Sequence, residues 1–214
     1  MKVAIAGGHG KIGMRLARIL SERGDEVRSL IRNPDHAAEV SETGAEPVVC
    51  DLEQASVEDV AEAIDAVDAV VFAAGAGAGS GPERKQTMDY GGAVKLIEAA
   101  KAKEVGTYVM VSSMGADPDI AGDETFQVYQ RAKGRADAAL SDSGLDYVIV
   151  RPGGLTDEPG TGKVTLGEHV GRGQVSRDDV VAVIASVLRN PPSGWRTVEL
   201  IGGETPIEDA LGSL

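Results

Sequence analysis

The chain has 214 residues, and its 34 acidic and 21 basic side chains give a formal net charge of −13. This acidity argues against nucleic acid or an anionic membrane as a partner, since both attract basic patches. A single cysteine excludes an internal disulfide, and 42% hydrophobic residues with only 3% aromatic residues indicate a globular core of aliphatic side chains.

Short apolar runs alternate with longer amphipathic segments along the chain. The apolar runs predict strands at residues 3–6, 26–31, 47–50, 69–73, 107–112 and 146–151. The amphipathic segments predict helices at residues 12–21, 35–43, 57–64, 82–103 and 125–141. After residue 152 we expect a strand at 163–166, a helix at 178–188, a strand at 198–201 and a short helix at 207–211.

The alternation of strands and helices predicts parallel βαβ units with helices on both faces of one sheet. Right-handed crossovers favour a three-layer α/β fold, in which a doubly wound sheet has the strand order 3-2-1-4-5-6 and an extra C-terminal strand. No linker is long enough to separate domains, so we expect a single domain over residues 1–214. Residues 153–214, where the alternation changes, are expected to form a small C-terminal lobe on the substrate side.

A glycine motif directly follows the first predicted strand. Gly7, Gly10 and Gly13 form G-x-x-G-x-x-G between a strand and a helix, a context typical of dinucleotide binding. The first glycine permits a tight turn, the second lets the backbone approach a pyrophosphate, and the third lets the helix pack on the strand. The helix N-terminus at Lys11 and Ile12 would offer N–H groups to the phosphates. A glycine-rich turn without a ligand is the alternative.

The end of the second strand is where NAD and NADP are distinguished. An acidic residue there would bind the ribose 2′-hydroxyl of NAD, whereas this sequence has Arg32, which favours the 2′-phosphate of NADP. A solvated surface arginine is the alternative. Asp51 and Leu52 follow the third strand and are expected beside the adenine, although a turn or capping role suits Asp51 nearly as well. Ala74 and Gly75 follow the fourth strand, on the expected path of the ribose and phosphates.

Tyr129 and Lys133 form a Y-x-x-x-K pattern, and the four-residue step places both on one face of a predicted helix. A nearby ammonium favours the phenolate, which suits Tyr129 as a general acid or base beside a nicotinamide. The same spacing also arises by chance in helices. Ser112 and Ser113 end the fifth strand at the edge where such sheets bind ligands, so a hydroxyl there could hold a substrate carbonyl. A strand-end or turn role is the alternative for both serines.

Taken together, these motifs resemble those of the atypical short-chain dehydrogenase/reductases, and more narrowly the NmrA-like group of NAD(P)-binding epimerases. Flavin reductases like biliverdin reductase B have a related pattern. The resemblance covers nearly the whole chain and rests on residues 7–13, 51–52, 73–75, 112–113, 129, 133 and 151–153. It implies a Rossmann fold and adds Pro152 and Gly153 to the expected cofactor contacts. None of these motifs is specific for a substrate.

The resemblance also implies an active-site tetrad of Asn, Ser, Tyr and Lys. Ser113, or Ser112, together with Tyr129 and Lys133 matches three of its members. Asp89 stands where the family has Asn on the long helix. A carboxylate lacks the amide N–H donors, so a proton relay through this position would differ from that of ordinary dehydrogenases. An exposed helix residue without a role in the site is the alternative for Asp89.

The leading hypothesis is an NADP-dependent oxidoreductase or epimerase-like enzyme acting on an unknown small molecule, with NAD as the less favoured cofactor. Ser113 would orient the substrate oxygen, Tyr129 would move its proton and Lys133 would bind the nicotinamide ribose. The alternatives are a non-catalytic NADP-binding regulator and a flavin or quinone reductase. No spacing of metal ligands occurs, so no metal is expected. Neither a signal peptide nor a bilayer-spanning run is expected, which favours a cytoplasmic location. A monomer or a homodimer is expected, and the sequence does not choose between them.

Overall fold

The computed structural model describes residues 1–77, 79–191 and 197–213. Its strands are β1 Lys2–Ala6, β2 Glu26–Ile31, β3 Glu46–Val49, β4 Ala69–Phe72, β5 Thr107–Val111, β6 Tyr147–Pro152, β7 Gly154–Thr156, β8 Lys163–Gly167, β9 Gln174–Ser176, β10 Thr197–Gly202 and β11 Thr205–Pro206. Its α-helices are α1 Lys11–Glu22, α2 Ala37–Ser41, α3 Val57–Ala63, α4 Pro82–Arg84, α5 Ala93–Ala102, α6 Thr125–Ser141, α7 Arg177–Arg189 and α8 Ile207–Gly212. A 3₁₀ turn, Pro34–His36, precedes α2, and a π-helical segment, Lys85–Gly92, joins α4 to α5.

Nine of the described strands form one sheet in the order β11-β8-β10-β6-β5-β4-β1-β2-β3. The first six strands pair in parallel, so the predicted order 3-2-1-4-5-6 is confirmed. The predicted extra strand is β10, which adds in parallel to β6. Sequence reasoning missed three strands of two or three residues: β11, and the pair β7 and β9, which form a small sheet of their own.

The three layers follow from the alternation of side chains along each buried strand. In β1, Val3 and Ile5 belong to the apolar cluster that also contains the buried faces of α1 and α7. Ala4 and Ala6 point the other way, into the cluster formed with α3, α5 and α6. Because both faces of the sheet are covered, its central strands are apolar at nearly every position, as parallel sheets require.

The helices begin where the sequence predicts, with one irregularity. Ser56 accepts a hydrogen bond from the backbone N–H of Asp59 and caps α3, and Ser176 caps α7 in the same way. The helix predicted at 82–103 contains the π-helical segment Lys85–Gly92 near its start. Such segments are rare and occur frequently at functional sites.

Most of the segment predicted as a C-terminal lobe extends the main sheet, because β8, β10 and β11 lie beyond β6. Helix α7 from the same segment packs against α1. The small β7–β9 sheet is the part that lies beside the open ends of the central strands, where Leu155 and Arg177 border a cleft. Within the described ranges, no helix is long and apolar enough to cross a membrane.

Candidate functional site

An open cleft of about 990 Å³ lies at the carboxyl ends of the central strands. This is the position at which doubly wound sheets bind their ligands. Most of the residues predicted for the site line this cleft: Gly7, Gly10, Lys11, Ile12, Arg32, Asp51, Leu52, Ala74, Gly75, Asp89, Ser112, Tyr129 and Lys133. The remaining predicted residues, Gly13, Ser113, Pro152 and Gly153, are not part of the lining.

The glycine loop has the geometry of a phosphate cradle. Gly7 has φ +84°, and a Cβ there would lie 2.7 Å from the backbone of Ala74. A Cβ on Gly13 would lie 2.3 Å from the Gly7 carbonyl oxygen, which explains why this position packs under the loop and not on the cleft wall. Gly10 caps α1 without a side-chain hydrogen bond, so the first N–H groups of the helix are free for an anion. The loop therefore fits a pyrophosphate.

Arg32 lies at the end of β2 and is 57% exposed, within the cleft lining. Its guanidinium lies 3.6 Å from the carboxylate of Glu53, which also accepts hydrogen bonds from Arg84 and Thr87. Burial alone would raise the pKa of Glu53, but these hydrogen bonds and the charges of Arg84 and Arg32 lower it below its usual value. Glu53 is therefore a carboxylate that orients Arg32 at one end of the cleft.

Asp51 forms the turn that the sequence offered as an alternative, and its contact with an adenine stays a prediction. Its carboxylate accepts the backbone N–H of Glu53 at 3.0 Å, an Asx turn, and the residue also lines the cleft. The next residue, Leu52, is buried in the lining and offers an apolar surface beside it. This pair can contact a flat base while the turn fixes the position of Glu53.

Tyr129 lies on α6 near the other end of the site and is half-buried. Its ring packs near that of Phe126, with the centroids 6.1 Å apart, and the ammonium of Lys85 lies 5.3 Å from its centroid. Among the residues that the structure describes, none forms a hydrogen bond with the Tyr129 hydroxyl. This hydroxyl can therefore exchange a proton with a ligand in the cleft.

Lys133 and Asp89 form a buried pair in the floor of the cleft. The Lys133 ammonium donates to the carbonyl of Val111 at 3.0 Å and lies 3.7 Å from a carboxylate oxygen of Asp89. The other oxygen of Asp89 accepts the backbone N–H of Ala76. Asp89 is only 1% exposed, so the alternative of an exposed helix residue is wrong. Its carboxylate balances Lys133 and anchors the chain after β4.

Ser112, and not Ser113, lies on the cleft wall. The Ser112 hydroxyl donates to Asp137 at 2.8 Å, and Arg151 donates to the same carboxylate oxygen at 2.9 Å. Burial raises the pKa of Asp137, although the hydrogen bonds from Ser112 and Arg151 oppose this effect. Because its proton is directed at Asp137, the Ser112 oxygen can act only as an acceptor toward a ligand in the cleft.

The sequence predicts that Ser113, Pro152 and Gly153 contact the cofactor or substrate, but in the structure their contacts are with the protein backbone beside the cleft. The carbonyl of Ser113 accepts the N–H of Ala116 in a turn that leaves the strand, which moves its side chain off the wall. The Pro152 carbonyl accepts the N–H of Met114. A Cβ on Gly153 would lie 2.3 Å from the carbonyl oxygen of Gly173, so this glycine permits a close approach of two segments. These three residues hold neighbouring loops together beside the cleft.

Several lining residues escaped sequence reasoning. Lys85 belongs to the π-helical segment, and Arg177 begins α7 directly after its Ser176 cap. Arg177 and Lys11 both form ion pairs with Asp157, which follows β7. The hydrogen bond that Lys11 donates is the main cause of the lowered pKa of Asp157. The only sequence signal for Arg177 is its place at a helix N-terminus.

Comparison with known proteins gives the family of the chain. The NAD(P)H-binding family matches residues 7–191. The chain belongs to this family. It is 38% identical, over the full length of both chains, to the "Uncharacterized sugar epimerase YhfK" of Bacillus subtilis. The resemblance to NAD(P)-binding proteins like the short-chain dehydrogenase/reductases is thereby confirmed.

Solved structures agree with this membership. A Bacillus halodurans protein, provisionally assigned as an NAD-dependent epimerase/dehydratase, is 37% identical over all of both chains, with a TM-score of 0.92. ChuY, an anaerobillin reductase of Escherichia coli O157:H7, is 26% identical over 94% of this chain and 97% of its own, with a TM-score of 0.79. The family supports a nicotinamide nucleotide as the cofactor, and the proteins similar to this chain include one named an epimerase and one named a reductase.

Proposed function

We propose that this protein is an NADPH-dependent reductase of a small, flat, conjugated molecule. The observation that carries the proposal is that Arg32, the glycine loop, Tyr129 and Lys133 border one continuous cleft. A phosphate-binding cradle and an available phenol in the same cleft are the parts that a reductase of this family needs. The naming of ChuY as a reductase is consistent with this proposal.

The preference for NADPH rests on Arg32. The exposed guanidinium lies at the end of β2, where a dinucleotide would present its ribose 2′-position. Glu53 holds this guanidinium at 3.6 Å, a distance loose enough for Arg32 to turn toward a phosphate. No carboxylate follows β2 directly to bind a 2′-hydroxyl, because Arg32 is followed by Asn33 and Pro34. The 2′-phosphate would gain a charge-assisted contact there.

The chemistry that the bound nicotinamide supplies is hydride transfer. Tyr129 donates the proton to the substrate atom that becomes negative as the hydride arrives. Lys133 holds a positive charge beneath this region, fixed by Val111 and Asp89. Ser112 accepts a hydrogen bond from the ligand, since its own proton points at Asp137. Ala74 and Met88 are buried, and both line the cleft, so that they exclude water from one side.

The apolar border of the cleft favours a flat substrate over a sugar. Phe126 is 63% exposed and Leu155 is 38% exposed, yet both line the cleft, and the Phe126 ring packs near that of Tyr129. Large apolar side chains left exposed at a cleft mark a binding surface for an apolar ligand. A sugar would require polar groups at the same place.

The test is oxidation of NADPH with three groups of acceptors: flavins, quinones, and aromatic aldehydes or ketones. The proposal predicts turnover with at least one flat acceptor, and loss of this turnover in Tyr129→Phe when a proton must be donated. Turnover of flavins that survives Tyr129→Phe would identify a flavin reductase without a protein proton donor. If the protein binds NADPH but no acceptor oxidises it, the reductase proposal is wrong and a redox sensor is the better interpretation.

A further inference from the structure

Lys85 differs from the other lysine and arginine side chains that line the cleft. Lys11 and Arg177 pair with Asp157, Arg32 and Arg84 pair with Glu53, and Lys133 lies beside Asp89. For Lys85, no carboxylate within the described ranges lies closer than 4.0 Å, although the residue is only 8% exposed. Among the described residues, its ammonium has one hydrogen-bond acceptor, the carbonyl of Gly77 at 2.9 Å.

A buried ammonium without a counter-charge is unfavourable, because it loses water and gains no opposite charge in exchange. One carbonyl uses one of its three N–H donors, and the face of the Tyr129 ring at 5.3 Å provides a further weak attraction. Lys85 lines a cleft large enough for a ligand, and no hydrogen bond to a described residue uses its remaining donors. An anion that enters the cleft would supply the missing charge.

The position of Lys85 favours a substrate over the cofactor as the source of this anion. The pyrophosphate already has the free N-terminus of α1 and the glycine loop, and the 2′-phosphate has Arg32. Lys85 instead contacts Tyr129, the proton donor of the proposed reaction. The π-helical segment brings Lys85 into the wall together with Asp89, and both are buried.

The surface beside Lys85 indicates which kind of molecule bears the anionic group. The rings of Phe126 and Tyr129 are inclined by 30°, with a centroid distance of 6.1 Å, and form an apolar face next to the ammonium. A flat aromatic group can pack on this face, as offset aromatic pairs do. We infer that Lys85 binds the carboxylate of an aromatic or conjugated acid whose ring packs on Tyr129 and Phe126. This inference rests on the proposed function and names the substrate class of that site.

The experiment uses a redox-inactive pair of probes, 2-naphthoate and the neutral 2-naphthamide. Each probe is titrated by calorimetry into the wild-type protein saturated with NADP⁺. The wild-type protein is expected to bind 2-naphthoate about tenfold more tightly than 2-naphthamide, the effect of one hydrogen bond to a charged partner. Because no NADPH oxidation is required, the result is independent of whether the protein proves to be a reductase or a sensor.

Three variants locate the contact. Lys85→Met should lose the preference for 2-naphthoate and bind 2-naphthamide as before, whereas Lys85→Arg should retain most of the preference. Lys101→Met is the matched control, because Lys101 lies further along the same run of helix, pairs with Glu98 and does not line the cleft.

Three results would overturn the inference. The first is a wild-type protein that fails to bind 2-naphthoate or to distinguish it from 2-naphthamide, a comparison that needs no variant to fold. The second is a folded Lys85→Met protein that keeps the preference. The third is a loss of NADPH affinity in Lys85→Met with probe binding unchanged, which would assign Lys85 to the cofactor phosphates.

Discussion

The substitution Gly10→Val separates the phosphate-binding role of the glycine loop from its structural role. The backbone at Gly10, with φ −70° and ψ 159°, is an extended conformation that valine also adopts. Of the atoms that the structure describes, a Cβ at this position would meet only the Gly7 carbonyl oxygen within 4 Å, at 3.1 Å. The branched side chain would stand in the cleft, in front of the first N–H groups of α1, where we place the pyrophosphate.

The expected loss of NADPH affinity is that of one or two hydrogen bonds to a charged group. This amounts to about 3 kcal/mol, or roughly a hundredfold in Kd. The cost to stability should stay near 1 kcal/mol, the usual effect of an unfavourable residue at a helix N-cap. Gly13→Val would behave differently, because its Cβ would lie 2.3 Å from the Gly7 carbonyl oxygen and would force the loop apart.

The assay combines calorimetric titration of NADPH with urea unfolding of the same preparations. Gly81→Val is the matched control, since Gly81 also caps a helix with an extended backbone, and no described residue lies within 4 Å of an added Cβ. This control should bind NADPH like the wild-type protein. A folded Gly10→Val protein with wild-type affinity would refute the placement of the pyrophosphate at the glycine loop.

Four further substitutions test other parts of the site. Arg32→Ala should weaken NADPH binding by about 1–3 kcal/mol and leave NADH binding unchanged. Arg28→Ala is the control, because Arg28 lies outside the cleft. Equal losses of affinity for both nucleotides would show that Arg32 does not contact the 2′-phosphate. Tyr129→Phe should lower carbonyl turnover about 10²-fold at unchanged NADPH affinity, and full activity would exclude the proton-donor role. Asp89→Asn should lower the free energy of unfolding by about 3 kcal/mol, because the buried ammonium of Lys133 loses its carboxylate. Urea unfolding identical to that of the wild type would contradict a stabilising Asp89–Lys133 ion pair. Glu53 has a lowered pKa in the folded state, so it stabilises the fold above its unfolded pKa, and this contribution is lost as the pH falls through the folded pKa. The difference in unfolding free energy between wild type and Glu53→Gln should therefore shrink in acid, and a constant difference between pH 7 and pH 3 would contradict the assignment.

The sheet and the cofactor end of the site could be predicted from the sequence because their signals are local. Strand β1 leads directly into the glycine motif, and the position of Arg32 follows from the end of β2. The spacing of Tyr129 and Lys133 on α6 is likewise a property of one helix. In a doubly wound sheet, the carboxyl ends of the strands meet at one edge, so these local signals are sufficient to place the residues in one cleft.

The rest of the site depends on contacts between distant segments. Nothing near Lys85 in the sequence reveals that it is buried beside Tyr129 without a carboxylate, because a lysine at the start of a helix is usually exposed. The choice between Ser112 and Ser113 depends on where the chain leaves β5 and begins a turn. Asp89 departs from the family pattern, and only its contacts with Lys133 and Ala76 explain how a carboxylate is accommodated there.

The central claim is that the cleft binds NADPH with Arg32 at its 2′-phosphate. Calorimetric titration of NADPH and of NADH into the wild-type protein at one fixed salt concentration tests this claim most directly. The account predicts one site per chain and an affinity for NADPH about tenfold or more above that for NADH, the effect of one charge-assisted contact. Equal or tighter binding of NADH, or no binding of either nucleotide, would contradict it.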